Sequence, residues 1–473
     1  MKTRRNFLKD AAMLAAMGTA AGCRTGGGIL GPDGAPMKGF AAEPIKGKLR
    51  VGFVGVGMHG HRAPVNFANI PCAEVAAICE IDRNALDRSL KEVAAEGVKK
   101  PPRQFFGPEA YKALCEWDGV DLLYTATPWA MHLPVCRYAM EHGKHVAVEV
   151  PAVMTVEECW ELVELSEKYR RHCFQLENGC YGETRSLAIN LCHQGVLGEP
   201  VYAECGYIHE LRALYWEQGW WAQYGHGKWR REWATKHHGI DYPTHGLLPA
   251  MFCLDIHSGD RLDHLVSMET GSFGADAYKR EVVPDPHDWR YGVKLMRGDL
   301  NNTMIRTAKG KTILVQHDVT SPRPGVRLRL VQGTKGVFQD SPLRIYLQTL
   351  DASTPDEAPF DPKKSEELHE KYTHPLRKSA GKIAVDLAKR LKAHDGQDLL
   401  MCMRLTWCLI NGLPLDIDVY DLAASCSIIE LSERSVRGKS KCIDIPDFTR
   451  GAWRAGAPKC LGTVDMAKMG YKV

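Results

Sequence analysis

Short apolar runs recur along the first part of the chain, and amphipathic segments separate them. The runs are Val51–Val54, Val75–Cys79, Val120–Thr125, His145–Val148 and Cys173–Leu176. Uninterrupted apolar runs of this length are typical of strands buried on both faces of a parallel sheet. A helix predicted over Pro134–His142 ends at Gly143, and Thr155 with Glu158 forms a capping box for the next helix. The pattern predicts an α/β domain on a doubly wound parallel sheet of the Rossmann type.

From about residue 180 the pattern changes to strands in succession. A helix is predicted over Arg185–Gln194. The strand-like runs after it are Val201–His209, Leu265–Ser272, Asn302–Arg306, Thr312–Asp318, Gly325–Gly333 and Gly336–Gln339. They predict an α+β domain on a largely antiparallel open sheet, with one face on the first domain and one exposed. Helices are predicted over Asp398–Asn411 and Asp421–Ser432, whereas the polar stretch 350–395 is predicted to be a surface excursion.

The length of the chain favours two domains, because 473 residues exceed what one core normally holds. The predicted regions are an export signal at 1–23, a flexible linker at 24–48, a nucleotide domain at 49–178, a substrate and oligomerisation domain at 179–445 and an irregular tail at 446–473. The formal charge of +4 is small for this size, and no basic run or aromatic-interleaved basic stripe is present. We therefore expect no nucleic-acid partner.

The turn after the first apolar run carries the clearest chemistry. Gly55, Gly57 and Gly60 complete a Gly-x-Gly-x-x-Gly motif. The first glycine permits the tight turn, the second lets the backbone approach a pyrophosphate, and the third allows close strand–helix packing. The second run ends at Glu80, where a carboxylate would meet the ribose hydroxyls and repel a 2′-phosphate. The combination predicts NAD as the cofactor, rather than an α/β domain without a nucleotide.

The sixteen cysteines are scattered and form no Cys-x-x-Cys pair. Most lie in apolar runs, as Cys79, Cys136 and Cys253 do. Buried free thiols are therefore expected, rather than zinc ligands or a disulfide framework. Asp255 and His257 are close in sequence, but no ligand set stands out, and we expect no metal.

The first 23 residues have the features of an export signal. Arg4 and Arg5 precede the apolar stretch Ala11–Ala21, as in a twin-arginine signal, and Cys23 ends a lipoprotein-like cleavage box. The alternative is a disordered N-terminus with chance arginines. A chain exported already folded would carry its cofactor along, and a retained cofactor must regain its redox state in every turnover. We expect a periplasmic or membrane-anchored enzyme with a closed redox cycle, rather than a dehydrogenase that exchanges NADH.

The loop Trp216–Trp233 is rich in tryptophan, glycine and arginine. Aromatic faces stack on the apolar faces of sugars, and polar groups hold sugar hydroxyls, so the composition suits a lid over a sugar. A packed loop or a subunit contact explains the composition equally well.

Several motifs resemble those of a known family. The order of the two domains is similar to that of the Gfo/Idh/MocA oxidoreductases. The stretches EVPAVMT, QLENGCY, GYIHE, DYPTHGLLP, QHDVTSPRP, NGLPLDIDVYD and IPDFTRGAW resemble one branch, glycoside hydrolase family 109, over about residues 49–455. Most of the superfamily has Glu-Lys-Pro where this chain has Glu149-Val150-Pro151, so the lysine that usually assists proton transfer is absent. The chain also departs at His59, where the branch usually has arginine, and in the lid over Leu211–Lys228.

The resemblance implies an NAD-dependent glycosidase acting on a terminal N-acetylhexosamine, an α-N-acetylgalactosaminidase in particular. Ordinary glycosidases use a carboxylate pair, and NAD-dependent ones are an exception. In the implied route, NAD takes hydride from C3 of the sugar, a base removes the C2 proton, the aglycone leaves, water adds, and the hydride returns. The family positions that contact the sugar match Tyr207, Arg230, Tyr242 and His245. Those that line the NAD site match Met58, His59, Glu80, Trp129, His132, Glu149, Val150 and Asn178.

Three side chains are candidates for proton transfer. His245 can move protons in both directions, because the pKa of histidine is near neutrality. Tyr242 can act as an acid, or as a phenolate if positive charge lies nearby. Glu177 can serve the sugar or a proton relay, or form a structural hydrogen bond near Asn178. The sequence does not decide which of the three is the C2 base.

Two other functions are compatible with the same pattern. A sugar dehydrogenase or coupled sugar oxidoreductase would have the same fold, and fold alone does not separate the functions. A carbohydrate-binding protein with a vestigial NAD site would also keep these motifs. Association into a homo-oligomer through the outer face of the second sheet is expected by analogy only.

Overall fold

The structure is a computed structural model that describes residues 36–219, 226–348, 361–391, 396–456 and 459–472. The predicted export signal, with its arginine pair and Cys23, lies outside the described residues, as do parts of the predicted lid and of the stretch 350–395. Within these described ranges, no helix combines the length and the apolar character needed to cross a bilayer.

The first domain is built on a six-stranded parallel sheet. Its strands are β1 (Leu49–Val54), β2 (Ala73–Glu80), β3 (Arg103–Phe106), β4 (Leu122–Thr125), β5 (His145–Val148) and β6 (Cys173–Gln175). Their order is β3-β2-β1-β4-β5-β6, which confirms the predicted doubly wound sheet. Strand β3 was not predicted, because it lies at the sheet edge and buries only Phe105. The direction in which successive strands are added to the sheet reverses between β1 and β4. A ligand crevice is expected at this point, at the carboxyl ends of the strands.

Five helices connect these strands and pack on the sheet. They are α1 (Arg62–Ala68), α2 (Arg83–Ala95), α3 (Ala110–Glu116), α4 (Trp129–Glu141) and α5 (Val156–Tyr169). The capping box predicted for α5 is present, since Thr155 Oγ1 accepts from the Glu158 N–H while the Glu158 carboxylate accepts from the Thr155 N–H. Helix α4 begins ahead of the predicted start, and Pro134 lies inside it.

The second domain is built on an eight-stranded mixed sheet. Its strands are β7 (Pro200–Ile208), β8 (Leu262–Glu269), β9 (Leu300–Thr307), β10 (Thr312–Asp318), β11 (Val326–Gly333), β12 (Gly336–Gln339), β13 (Arg344–Leu347) and β14 (Ile443–Asp444). The order is β13-β12-β11-β7-β10-β9-β8-β14, and only β7 pairs with β10 in parallel among the described strands of this sheet. The prediction of a largely antiparallel sheet is confirmed. Buried and exposed side chains alternate along β9, where Thr303 and Ile305 are buried and Met304 is exposed.

Nine further described helices follow the first sheet along the chain, and some of them pack against both domains. They are α6 (Glu183–His193), α7 (Arg212–Tyr215), α8 (His226–Ala234), α9 (Thr244–Cys253), α10 (Gly274–Val282), α11 (Pro362–Tyr372), α12 (Pro375–Arg390), α13 (Gln397–Asn411) and α14 (Val419–Arg437), with 3-10 turns at Asn178–Tyr181, Trp289–Gly292 and Ala452–Arg454. Helix α9 is almost wholly buried and packs on β7 and β11. Helix α14 packs on α5 of the first domain and on β8 of the second, so it fixes one domain against the other.

The surface excursion predicted over 350–395 is wrong for its described part, which forms α11 and α12. Helix α12 buries Leu376, Ala380, Ala384 and Leu387, which recur at helical spacing. Proline follows the cap residue of each helix, where its missing N–H costs no hydrogen bond. The amphipathic pattern was present in the sequence but was hidden by the high content of lysine and proline.

The flexible linker predicted over 24–48 is also wrong where the structure describes it. Met37 is buried, and its N–H donates to Tyr420 Oη at 2.9 Å. Phe40 packs on the Arg170 guanidinium, and the Ile45 N–H donates to Leu409 O at 3.1 Å. Residues 36–48 therefore form a strap across the first domain and the C-terminal helices.

Candidate active site

The loop between β1 and α1 has the shape of a dinucleotide cradle. Gly55 has a φ of +83°, and a Cβ there would lie 2.9 Å from Ala126 O. A Cβ on Gly60 would lie 2.1 Å from Gly55 O, so neither position accepts a side chain. A Cβ on Gly57 would meet nothing within 4 Å, which leaves open space above the loop. The loop therefore fits a pyrophosphate at the amino end of α1.

Glu80 holds this loop at the end of β2. Its carboxylate accepts hydrogen bonds from the Val56 N–H at 2.7 Å and from the Ile81 N–H at 2.7 Å. Arg88 of α2 donates to the carbonyl oxygens of Val56 and Gly57, each at 2.9 Å. Glu80 thus shapes the cradle as well as lying where the ribose contact was predicted.

His59 and Glu149 form one histidine–carboxylate pair, called here the exposed pair. His59 Nε2 lies 3.4 Å from Glu149 Oε1, and the His59 side chain is 52% exposed. The charge of Glu149 raises the pKa of His59, although partial burial opposes this shift. Burial alone would raise the pKa of Glu149, but His59 and the hydroxyl of Tyr124, at 2.6 Å, bring it below its usual value. Glu149 is therefore held as a carboxylate.

His245 and Glu177 form a second pair, called here the buried pair. His245 Nδ1 lies 2.6 Å from Glu177 Oε1, and the exposures of the two side chains are 15% and 0%. Burial lowers the pKa of His245 despite the opposing charge of Glu177. At neutral pH the histidine is therefore neutral, with its proton on Nδ1 toward the carboxylate and Nε2 available as a proton acceptor. The Gly179 N–H also donates to Glu177 Oε1, at 2.9 Å.

Tyr242, Tyr207 and Arg230 surround His245. The Tyr242 ring stacks on the Tyr207 ring at 4.3 Å and lies 5.0 Å from the His245 ring. Arg230 Cζ lies 5.0 Å from the centroid of the Tyr242 ring. Burial and the neighbouring Tyr207 raise the pKa of Tyr242 well above its usual value, although Arg230 opposes this. Tyr242 is thus a protonated hydrogen-bond donor, and the predicted phenolate option is not supported.

One cavity brings the predicted cofactor and sugar positions together. Among the predicted residues, His59, Glu149, Val150 and Asn178 line it from the first domain, and Tyr242 and His245 line it from the second. The exposed pair and the histidine of the buried pair therefore face the same space, with Glu177 enclosed behind His245. The cavity lies next to the glycine-rich loop, where the sheet order predicts the crevice.

Three predicted cofactor residues lie at the border of this cavity or behind it. Met58 is partly buried on the loop. His132 is 1% exposed, and its ring nitrogens face Pro151 O at 3.1 Å and Thr127 O at 2.8 Å. His132 therefore positions the backbone behind the site. Trp129 is buried under the lid helix α8, with its ring 4.4 Å from that of Trp229.

The described part of the predicted lid is packed against the site. Helix α8 places Arg230 over the Trp129 and Trp229 rings, at 5.4 Å and 5.0 Å. The next residue, Arg231, points away and donates to Tyr215 O at 2.7 Å. Residues 220–225 of the loop lie outside the described part. The sugar-lid and packed-loop interpretations are therefore both compatible with this arrangement.

Several contributors were not foreseen from the sequence. Tyr124 hydrogen-bonds Glu149, and Asp398 accepts from Asn178 Nδ2 at 2.5 Å. Both line the cavity with Arg62. Asp398 lies in the first turn of α13, which is distant in sequence, and no motif signalled it. The end of β4, where Tyr124 lies, is the one local signal that could have been used, since ligands bind at such strand ends.

Among the described residues, one histidine–carboxylate group is compact enough to hold a cation: His257, Asp418 and Asp421. Lys459 Nζ lies 3.0 Å from Asp418 Oδ2 and also forms an ion pair with Asp421. His257 Nδ1 faces Asp421 at 3.0 Å. An ammonium group thus already neutralises the two carboxylates, and the group serves as a structural ion cluster.

Comparison with known proteins matches two regions of the chain. Residues 49–176 match the profile described as "Oxidoreductase family, NAD-binding Rossmann fold", and residues 181–455 match "Glycosyl hydrolase 109, C-terminal domain". A glycosyl hydrolase family 109 protein of Shewanella pealeana is 38% identical over 96% of this chain and 98% of its own. An alpha-N-acetylgalactosaminidase of Bacteroides fragilis is 41% identical over 89% of this chain and 97% of its own.

Solved structures show the same fold at low identity. A levoglucosan dehydrogenase in complex with NADH and levoglucosan has a TM-score of 0.59 at 16% identity, over 84% of this chain and all of that one. A scyllo-inositol dehydrogenase from Lactobacillus casei has a TM-score of 0.55 at 13% identity, over 84% of this chain and 98% of that one. At such identities the likeness supports the fold alone.

Proposed function

Because the chain belongs to glycosyl hydrolase family 109 and has an NAD-binding Rossmann domain, we propose that it hydrolyses a terminal α-linked N-acetylgalactosamine. The observation that carries this function is the single cavity shared by the dinucleotide loop and the buried pair. The choice of sugar is supported by the Bacteroides fragilis relative, whose name states this activity.

The cofactor and the protein divide the chemistry between them. When bound, NAD accepts hydride from C3 of the sugar and returns it at the end of the cycle. The open space over Gly57 and the charged groups of His59 and Glu149 in the adjoining cavity fit a dinucleotide lying along the carboxyl ends of the strands. The protein must then supply proton transfer at the sugar, where the superfamily lysine is replaced by Val150.

The buried pair supplies the base that removes the C2 proton. His245 is neutral because it is buried, and its Nε2 is the nitrogen that does not face Glu177. When Nε2 takes up a proton, the imidazolium that forms lies beside the Glu177 carboxylate, which stabilises it. Glu177 is fully buried, so its charge is poorly screened by water. The same imidazolium can return the proton later in the cycle.

Tyr242 and Arg230 orient the sugar. The protonated Tyr242 hydroxyl donates a hydrogen bond to a ring substituent or to the departing oxygen. Arg230 brings positive charge to the same place, and its Nε is buried without a hydrogen-bond partner among the described residues. An oxygen that gains negative charge during elimination would be stabilised there.

A glycoside assay in D₂O tests the elimination route. Purified protein is incubated with p-nitrophenyl glycosides of N-acetylgalactosamine and N-acetylglucosamine in both anomeric forms. We expect release from the α-galactosamine compound, deuterium at C2 of the product, and no net NADH. Release without deuterium at C2 contradicts the route, whereas accumulation of NADH indicates a sugar dehydrogenase. Protein freed of NAD should be inactive and should recover when NAD is added.

We also propose that the protein is exported and anchored through Cys23. The support is the arginine pair at Arg4 and Arg5, the apolar stretch after it and the cleavage-box residues. Replacing both arginines by lysine should keep the enzyme in the cytoplasm. Cys23→Ala should abolish labelling by a fatty-acid probe without blocking export. Labelling that persists in Cys23→Ala would contradict the anchor.

We further propose that the outer face of the second sheet mediates self-association. Met268 is 65% exposed on β8, and Val266 pairs with Met304 across β8 and β9 on the same face. Such an exposed apolar group is typical of an interface. Light scattering should show that Met268→Lys lowers the oligomeric state. Leu413→Lys, which alters a 39% exposed leucine elsewhere, is the control and should leave the state unchanged.

A further inference from the structure

His59 places a titratable charge at the dinucleotide cradle. It lies within the glycine-rich motif, between Gly57 and Gly60, and its side chain is half-exposed in the cavity that the cofactor shares. The position is next to the open space over Gly57, where the pyrophosphate fits. The inference drawn here rests on the proposed function, because it concerns how the enzyme holds NAD.

The charges that face His59 come from every side of the cavity. Glu149 at the end of β5 is its ion-pair partner, with Tyr124 of β4 bound to the same carboxylate. Asp398 of α13 adds negative charge, and Arg230 of α8 adds positive charge. Arg62 of α1 lines the same cavity.

We propose that His59 makes the grip on NAD depend on a proton: the protonated side chain favours the bound dinucleotide, and the neutral one weakens it. When His59 is protonated, it compensates the charge of Glu149, whose carboxylate lies 3.4 Å from the His59 ring at the cradle. When His59 is neutral, this uncompensated carboxylate would repel the two phosphate charges of a bound dinucleotide. Affinity for NAD therefore falls as pH rises through the titration of His59.

The direction of the change in NAD affinity with pH follows from the charges around His59. Glu149 raises the pKa of His59 above its ordinary value, so the loss of affinity begins above the usual histidine range of about 6.5. A bound pyrophosphate favours the protonated form further, so binding of NAD takes up a fraction of a proton wherever His59 is partly neutral. A single partly exposed charge of this kind corresponds to roughly tenfold in affinity.

Binding of NAD itself is the test, measured by isothermal titration calorimetry on full-length protein stripped of dinucleotide. From about pH 5.5 to about pH 9, the wild type should weaken roughly tenfold, and its binding enthalpy should vary with the ionisation enthalpy of the buffer. His59→Arg keeps the charge at every pH and should bind tightly with a flat profile. His59→Gln has no charge and should bind with a flat profile at the weak level of the wild type at high pH.

His61→Gln is the matched control. His61 is on the same loop, but its Nδ1 pairs with Glu92 at 2.9 Å, and it does not line the cavity. This variant should keep the wild-type pH profile. A flat wild-type profile, or a wild-type slope retained in His59→Gln, overturns the inference and leaves the glycosidase function intact. Failure of the wild type to bind NAD at any pH would instead defeat the proposed function.

Discussion

The exposed pair and the buried pair have the same chemistry, yet their histidines respond in opposite directions. In the exposed pair the carboxylate dominates, and the pKa of His59 is raised. In the buried pair burial dominates, and the pKa of His245 is lowered although its carboxylate is closer, at 2.6 Å rather than 3.4 Å. Contact distance alone therefore does not set the protonation state. Access to water also decides, so the half-exposed His59 favours its protonated form and the enclosed His245 favours the neutral form that can act as a base.

Removing the proposed base, His245, should have the largest effect on activity. His245→Ala should lower kcat by roughly 10² to 10⁴-fold, the usual range for loss of a general base. NAD binding should be unchanged, since the exposed pair is intact. Measured kcat, together with exchange of the C2 proton in D₂O, checks this. A variant that still exchanges the C2 proton at the wild-type rate would show that His245 is not the base.

Glu177→Gln tests the electrostatic half of the buried pair while keeping its shape. We expect kcat to fall by roughly 10- to 100-fold, because the imidazolium loses its carboxylate. Glu177 raises the pKa of His245, so its removal lowers that pKa further. The acid limb of the kcat profile, which requires neutral histidine, should therefore move to lower pH. A limb that stays in place or moves to higher pH would contradict the assignment.

Tyr242→Phe removes one donor from the cavity that both pairs share. Since Tyr242 is protonated and donates a hydrogen bond, kcat/KM should fall by about tenfold, equivalent to about 1.4 kcal/mol. The alkaline side of the pH profile should not change, because the hydroxyl does not ionise in the working range. The pH profile of kcat/KM for Tyr207→Phe, which alters the tyrosine stacked on Tyr242, is measured for comparison. A lost alkaline limb in Tyr242→Phe would show that the hydroxyl ionises in the working range after all.

The smallest expected effect concerns stability. His59→Gln breaks a half-exposed ion pair, and solvent screening should limit the change in the free energy of unfolding to less than about 1 kcal/mol. Denaturant unfolding without NAD measures this change. His61→Gln is again the control. A loss of several kcal/mol would mean that His59 is a structural residue, and its pH effects would need another explanation.

The sequence predicted what local patterns control. The glycine motif, five of the six strands of the first sheet and the capping box at Thr155 each depend on neighbours along the chain, and each is present. Strand β3 was not predicted, because an edge strand buries few apolar side chains. Helix α12 was not predicted, because its lysines and proline made the helical spacing of Leu376 and Ala380 hard to recognise.

The site was predictable in its parts but not in its pairing. His245 and Glu177 stood in recognisable motifs, yet they are 68 residues apart, and only the packing of α9 against the 3-10 turn at Asn178–Tyr181 brings them together. Protonation states could not be inferred either, because burial decides them. Asp398 and Tyr124 reach the cavity from elements that carry no motif, so spacing held no information about them.

In the proposed form anchored at Cys23, the strap over residues 36–48 limits the distance between the enzyme and the membrane. Because Met37 is fixed to the body of the enzyme, the chain available between Cys23 and that point is short. Fully extended, it spans at most about 50 Å. An enzyme held by a lipid on Cys23 would therefore operate close to the bilayer that carries it, on glycans delivered to the cell envelope rather than on those in the surrounding medium.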